Sequence, residues 1–159
     1  MNTPTDQTSA AKPVPLSRAA LKPGLWSTPI KIRFGHCDPA GIVYTPRFFD
    51  IFNVAIEEWY GERLGISYYE LIGPRRTGLG YVNAHGDFFQ PVRMGETLDV
   101  AVDLERVGNA SFALTLHAFL GDNEALRGRF TVVTTDLNQH RSKPIPDDLR
   151  AALLDYGKS

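Results

Sequence analysis

Residues 46–64 constrain this chain more than any other stretch. Phe48, Phe49, Ile51, Phe52, Val54, Ala55, Ile56, Trp59 and Tyr60 cover most of a helix's circumference, so the segment predicts a helix buried on several sides. Thr45 followed by Pro46 makes a good helix start, because proline at the first helical position lacks an N–H that would go unpaired there anyway. Gly65 stands where a left-handed stop is needed after Leu64. The polar exception is one narrow stripe, Asp50, Asn53 and Glu57, at i, i+3 and i+7. Such a helix needs a partner with a large apolar face.

Alternation elsewhere supplies that face. Ile30, Ile32 and Phe34 alternate with Lys31 and Arg33, which predicts a first strand with one side buried. Leu98, Val100, Val102 and Leu104 alternate with Asp99, Ala101, Asp103 and Glu105, and tight turns are expected at Gly108-Asn109 and Gly121-Asp122-Asn123. Three consecutive antiparallel strands follow, over 97–107, 111–120 and 126–135. A further strand over 79–89 precedes them and ends at Gln90-Pro91, since proline cannot donate to a ladder. A short helix is expected from Ser67, with Glu70 completing a capping box and Gly73-Pro74 ending it. Pro144-Ile145-Pro146 opens a last helix with Leu149, Leu153 and Leu154 on its apolar side. The fold class is α+β: a five-stranded antiparallel sheet wrapped around the long apolar helix.

With 159 residues, 43% of them hydrophobic, the chain holds enough for one core. A single domain is expected over 25–159, behind a loose tail over 1–24 that is rich in Thr, Ser, Ala and Pro and lacks signal-peptide and transit-peptide patterns. A formal net charge of -1 gives no global attraction to nucleic acid or to an anionic membrane. Asp50, Asn53, Glu57 and Glu58 interrupt the most apolar segment, so nothing approaches the roughly 20 apolar residues that span a bilayer. The single cysteine, Cys37, can form no internal disulfide, and no Cys and His set has the spacing of a structural metal site. The expectation is a soluble protein of a reducing, cytoplasmic compartment, without nucleic-acid or membrane partners.

Just ahead of the helix stands Phe34-Gly35-His36-Cys37-Asp38-Pro39-Ala40-Gly41-Ile42-Val43-Tyr44. This run resembles the active-site segment of hot-dog acyl-CoA thioesterases, the 4-hydroxybenzoyl-CoA thioesterase type in particular. The likeness extends more loosely from Ile30 to Pro146, through Leu64-Gly65-Ile66-Ser67, the turn from Pro91 to Gly95-Glu96, and Lys143-Pro144-Ile145-Pro146. The resemblance implies a hot-dog fold with no metal or bound cofactor. It also implies a homodimer whose sheets join edge to edge, often paired into a homotetramer, with active sites at the subunit interface. It maps the catalytic carboxylate onto Asp38, as nucleophile or as general base on water, and the backbone N–H that polarises the thioester carbonyl onto Thr45. Gly41, Tyr44, Asn53, Arg106 and Ser111 are the substrate-binding candidates. Two positions depart from the pattern. His36 stands where an acidic residue is common, and the basic run that meets CoA phosphates reads Gly108-Asn109-Ala110 here, with Ser111 retained. Arg106, Arg129, Arg141 and Lys143 are then the candidates for the CoA end.

Elementary chemistry agrees with these roles. Thioester hydrolysis builds negative charge on the carbonyl oxygen, which the free N–H groups and positive dipole end of a helix stabilise. Pro46 removes one donor, leaving Thr45 and Arg47. An aspartate is ionised at neutral pH and needs no activating base. Gly41 would let the backbone come close to the substrate. Against this, Asp-Pro-Ala-Gly is also what a plain turn looks like. A second branch of hot-dog thioesterases carries its carboxylate on the helix, which makes Glu57 or Asp50 the alternative to Asp38. His36 reads as a local hydrogen-bonding residue and Cys37 as a small packed one. Tyr44, Phe48, Phe49, Phe52, Trp59, Phe88 and Phe89 are mostly core, with some of them candidates to line an aryl or acyl pocket and Tyr44, which adjoins the site, the best of these. His85 and Asp87 reach the site only if their strand lies beside the helix start. The expected activity is hydrolysis of an acyl-CoA with an aryl or a short or medium acyl group. A hydrolase of acyl groups on acyl carrier protein and a non-catalytic acyl-CoA-binding module are the alternatives.

Overall fold

A computed structural model of the protein describes residues 11–158. Its strands are β1 (Ser27–Lys31), β2 (Thr77–Phe88), β3 (Thr97–Val107), β4 (Ser111–Leu120), β5 (Asn123–Asp136) and β6 (Arg141–Ser142). Its α-helices are α1 (Arg47–Trp59), α2 (Tyr68–Ile72) and α3 (Asp147–Tyr156). The antiparallel sheet runs β1-β3-β4-β5-β2, and β6 pairs with the far end of β5. The five long strands are those that alternation predicts. The two-residue sixth is too short to leave a pattern.

The sheet curls around α1, which is the hot-dog arrangement. The helix buries Phe48, Ile51, Phe52, Ala55, Ile56 and Trp59, and leaves Val54 exposed. Its seat is a gap in the sheet's inner face. Gly128 of β5 lies between Gly86 of β2 and Leu116 of β4, so two neighbouring inward positions carry no side chain. Phe52 fills the space over Gly128, where a built Cβ would lie 2.7 Å from ring carbons of both Phe52 and Phe130, while the Phe88 ring covers Gly86. Phe130 meets Phe52 edge-on at 5.6 Å between centroids and Phe49 at 6.1 Å. The helix ends in a π-helical turn over Tyr60–Leu64, closed by Gly65 at φ 67°. The Ser67 hydroxyl then accepts the Glu70 N–H at 3.2 Å and starts α2.

Three local expectations differ from what the chain does. Phe34 is 83% exposed, because the chain turns at Arg33, where the carbonyl accepts the His36 N–H at 3.0 Å, and the strand alternation stops at Ile32. Leu154 is exposed while Tyr156 is buried, its hydroxyl donating to the Val102 carbonyl. β5 begins at Asn123, opposite Leu120, because the turn before it needs only Gly121, at φ 60°, and Asp122.

Composition groups residues 1–24 as a tail, and residues 1–10 lie outside the described residues. Within the described part, Leu16 donates its N–H to Glu124, Arg18 donates its N–H to the Asp122 carbonyl and pairs with Asp99, and Lys22 pairs with Asp103. This segment therefore crosses the sheet's outer face. Those polar partners come from alternate outward positions of β3 and from β5, which a composition count does not reveal.

Because Phe52 already occupies the space over Gly128, a side chain there can fit only by moving the helix. We expect Gly128→Val to lower the unfolding free energy by about 2 kcal/mol or more in urea titrations. An unchanged denaturation midpoint would show that α1 does not rest on this gap.

Candidate active site

Residues 33–45 form a compact strand-to-helix connection. His36 is a local hydrogen-bonding residue: its Nδ1 accepts the Arg33 N–H at 3.0 Å. A small hairpin follows, with Asp38 facing Ile42 and Cys37 bridged to Val43. At its tip the Asp38 carbonyl accepts the Gly41 N–H at 2.9 Å, and Asp38 Oδ1 accepts the Ala40 N–H at 2.8 Å. Gly41 sits at φ 76°, and a Cβ there would meet nothing within 4 Å. The turn thus needs glycine for its backbone angle. Asp38 is half-buried, and among the described residues no donor reaches its Oδ2.

The hairpin's second side is stitched to the chain after β2. Val43 donates to the Val92 carbonyl at 2.8 Å, Met94 donates to the Gly41 carbonyl at 3.1 Å, and Ile42 bridges Arg93. Tyr44 donates back to the His36 carbonyl at 2.9 Å, and the chain enters α1.

The start of α1 leaves one donor in particular. Pro46 already has helical angles, φ -62° and ψ -25°, yet the first full helical residue is Arg47, and no side-chain bond caps the helix at Pro46. The Arg47 N–H is taken by the Tyr44 carbonyl at 2.7 Å, Phe48 donates to Thr45 and Phe49 to Pro46 at 3.2 Å each. Arg47 is therefore not the second oxyanion donor that the sequence leaves open. Pro46 has no N–H, and the Thr45 N–H has no acceptor among the described residues. Thr45 lines a cleft of about 300 Å³ with Ile42, Val43, Phe48, Phe88 and Phe89 as its apolar walls, closed by Gln90, Pro91 and Val92. Phe48 and Phe88 are in ring contact at 5.5 Å. A free N–H at the positive end of a helix, on a residue that lines an aromatic cleft, is suited to an oxygen that gains negative charge.

The other candidates divide. Tyr44 is 54% exposed beside the hairpin and does not line the cleft. Asn53 accepts the Tyr81 hydroxyl at 2.7 Å, and burial, helped by Tyr68 and Glu57, holds that hydroxyl's pKa above its ordinary value. Asp50 pairs with Arg47 at 2.9 Å and Glu57 accepts the Tyr69 hydroxyl at 3.0 Å, so the helix stripe serves local contacts outside the cleft. Arg106 and Ser111 meet at the turn after β3, whose Gly108 and Asn109 carbonyls accept Arg150 at 2.7 and 2.9 Å. That turn lies far from the cleft within one chain. Ser111 is level with Val133 and so with Gly80, whereas the cleft begins at Phe88, about 26 Å further along β2.

β2 does run beside the helix start, but His85 and Asp87 point to its other face. Phe88 is level with inward Leu126, while His85 and Asp87 are level with Arg129 and Arg127. Burial opposes the charge on Asp87, but His85, Arg129 and Arg127 outweigh it and hold its pKa below the usual value. Phe48, Phe88 and Phe89 are among the aromatics from which the sequence supplies a pocket lining, whereas Gln90, Pro91 and Val92 are the part that sequence reasoning missed. Gln90-Pro91 signals only a strand end, and nothing local says that this end meets the hairpin.

The family model described as "Thioesterase-like superfamily" matches residues 32–153. The chain belongs to that superfamily. A 1,4-dihydroxy-2-naphthoyl-CoA hydrolase of Prochlorococcus marinus (strain MIT 9515) is 26% identical over 127 residues, covering 75% of this chain and 82% of the relative. A thioesterase-superfamily structure from Jannaschia sp. CCS1 superposes with a TM-score of 0.78 at 28% identity, covering 84% of this chain and 94% of the other. The structure of a 1,4-dihydroxy-2-naphthoyl-CoA thioesterase from Synechocystis superposes at 0.76 and shares the fold at 22% identity, covering 83% and 97%. These relatives carry the resemblance at the level of the superfamily. The narrower 4-hydroxybenzoyl-CoA type is not what they are named for.

The Asp38 turn bond depends on an oxygen and not on a charge. We expect Asp38→Asn to melt within about 2 °C of wild type, whereas Asp38→Ala, which loses the acceptor for Ala40, should be less stable by about 1 kcal/mol. Equal losses in thermal melts of the two variants would remove the turn role.

Proposed function

We propose that this protein is an acyl-CoA thioesterase that takes an aromatic acyl group, and that Asp38 is the reacting carboxylate. The observation that carries this reading is that Thr45, whose N–H has no acceptor among the described residues, lines an aromatic cleft beside the Asp38 hairpin. In this mechanism the thioester carbonyl lies in the cleft with its oxygen on the Thr45 N–H. Asp38 either attacks the carbonyl carbon, giving an anhydride that water then opens, or takes a proton from a water that attacks directly. The C–S bond breaks and CoA leaves as its thiolate or thiol. The Phe48 and Phe88 rings suit a planar acyl group, and naphthoyl-CoA relatives support the aromatic choice.

The CoA end then requires a second subunit. β2 is an open edge of the sheet, with Tyr81 and bulged Val82 exposed along it. A long unpaired edge invites pairing with another chain. Two copies related by a two-fold axis would pair β2 antiparallel, setting the Gly80 end of one beside the Phe88 end of its partner. That brings Arg106 and Ser111 of one copy toward the other's cleft, a homodimer that two such pairs extend to a homotetramer. No helix among the described residues is long and apolar enough to cross a membrane, and a cytoplasmic setting agrees with the single unpaired cysteine. An acyl-carrier-protein substrate is the second reading, favoured by the absence of a basic run at the Gly108–Ser111 turn.

Free-thiol release from benzoyl-, hexanoyl- and dodecanoyl-CoA tests the assignment. Wild type should hydrolyse benzoyl-CoA most rapidly, and folded Asp38→Asn should lose about a hundredfold or more in kcat. Equal turnover by both proteins would move the chemistry off Asp38. No turnover with any CoA ester would favour the carrier-protein substrate or a binding module.

Subunit sharing predicts complementation. Asp38→Asn and Arg106→Ala chains, each weak alone at low ester concentration, should recover about a quarter of wild-type activity when refolded together, since half the dimers are mixed and each holds one intact site. Activity that merely averages the two would put Arg106 outside the partner's site.

A further inference from the structure

Behind the cleft's back wall lies a second cavity. It measures about 360 Å³ and is bounded by Pro15, Leu16 and Ser17 of the N-terminal segment and by Asn123 and Glu124 of β5. Phe89 and Gln90 line both spaces, so these two residues are the partition between them. Their backbone is fixed: both N–H groups donate to the carbonyl of Ala125, at 2.8 and 3.2 Å. Ala125 is the extra residue of a bulge in β5, which turns its carbonyl toward the partition.

The Phe89 side chain is held from the other direction by Arg127. The guanidinium carbon lies 5.4 Å from the ring centroid. Arg127 is itself locked. Its Nε donates to Glu124 at 2.9 Å, and a terminal nitrogen donates to Glu124 at 2.5 Å and to the Val14 carbonyl at 3.0 Å. Glu124, almost wholly buried, also accepts the Leu16 N–H at 2.8 Å and is hydrogen-bonded to His117 at 2.7 Å. All the acceptor capacity of this carboxylate faces named donors, and the chemistry around Asp38 uses none of it.

We propose that Phe89, pinned by Arg127, is the partition that limits the length of the acyl group this site accepts, with the N-terminal segment closing the space behind it. This rests on the thioesterase assignment and adds a size limit to it. Phe89 is a specificity-determining residue, since it lines the acyl cleft, and Arg127 is a positioning residue that acts through it. With the ring removed, the two cavities become one, and a longer acyl group reaches past Pro91 toward Leu16.

The test is the ratio of kcat/KM for dodecanoyl-CoA to that for benzoyl-CoA, which a general loss of folded protein leaves unmoved. Phe89→Ala should raise the ratio about tenfold, the scale on which hydrophobic pockets discriminate by size. Arg127→Met should raise it in the same direction by less, and should add nothing in a Phe89→Ala background. Where Phe89→Ala fails to fold, Phe89→Leu keeps apolar bulk without the ring and should still raise the ratio. An unchanged or lower ratio in a folded Phe89 variant overturns the partition. An Arg127→Met protein that melts earlier at an unchanged ratio, or whose effect persists without Phe89, overturns the pinning. Wild type that hydrolyses no CoA ester overturns the acyl-CoA assignment on which the size limit rests, and the size limit falls with it, whereas wild-type turnover with an unmoved ratio sinks only the size limit.

Discussion

The contact between Phe52 and the glycine gap at Gly128 is the constraint on which the rest of the molecule depends. An apolar helix inside a curled sheet has no intrinsic axial position, because ring against aliphatic surface is a non-directional attraction. A missing side chain makes it directional. The Phe52 ring of α1 enters the space that Gly128 leaves open, the Phe88 ring lies over Gly86 beside it, and Phe130 closes the gap edge-on. The helix is thereby held in depth and in rotation. Burying Phe52 and its neighbours supplies the apolar term, while close packing turns that term into a position.

What that position fixes is the helix start. α1 begins about one and a half turns before Phe52, so seating the ring also places Thr45 in the lining of the cleft. The donors there are accounted for one at a time. Proline removes one, the Tyr44 carbonyl takes the next, and the first helical turn uses Phe48 and Phe49. The hairpin that carries Asp38 is set by the same stretch of chain, since Tyr44 belongs to its ladder and to the helix entry at once. Asp38, Thr45 and the hairpin side of the cleft are therefore positioned together with α1. An oxyanion site gains its effect from donors that need no reorganisation when charge develops, and this connection has few soft bonds.

Much of this architecture is legible because its causes are local. The strands Thr97–Val107 and Ser111–Leu120 begin and end where alternation and turn residues say, and Gly65 stops the helix by its own backbone angle. Asp38, Pro39, Ala40 and Gly41 form the turn their residue types favour, while the free Thr45 amide needs the neighbouring carbonyl positions to be recognised. The opaque parts are long-range. Phe34 looks like the next inward residue of β1 until the His36 turn is known, and Leu154 looks inward until Tyr156 takes its place. Phe88 to Val92 read as a strand running out, yet they form the cleft wall, because only the register of β2 against β5 brings them to the hairpin. Period two likewise assigns His85, Asp87 and Glu124 without saying what covers them.

Glu124 is the sharper case, since a charged residue on an outward position of β5 ought to be wet and here is almost wholly buried. Desolvation alone would push its pKa up. Arg127, the Leu16 N–H and His117 outweigh that and hold the pKa below its ordinary value, so the carboxylate stays charged at neutral pH. A buried ionic cluster of this kind contributes little net stability compared with a well-packed apolar one, because removing the charges from water is costly. What it does supply is direction. The planar guanidinium can satisfy both carboxylate oxygens in one orientation only, and in that orientation its face lies against Phe89. An aliphatic cluster would fill the same volume and leave the ring free to turn. The outer face of the sheet thus holds an inner wall of the cleft in place, and the N-terminal segment, through Leu16 and Val14, is part of that hold.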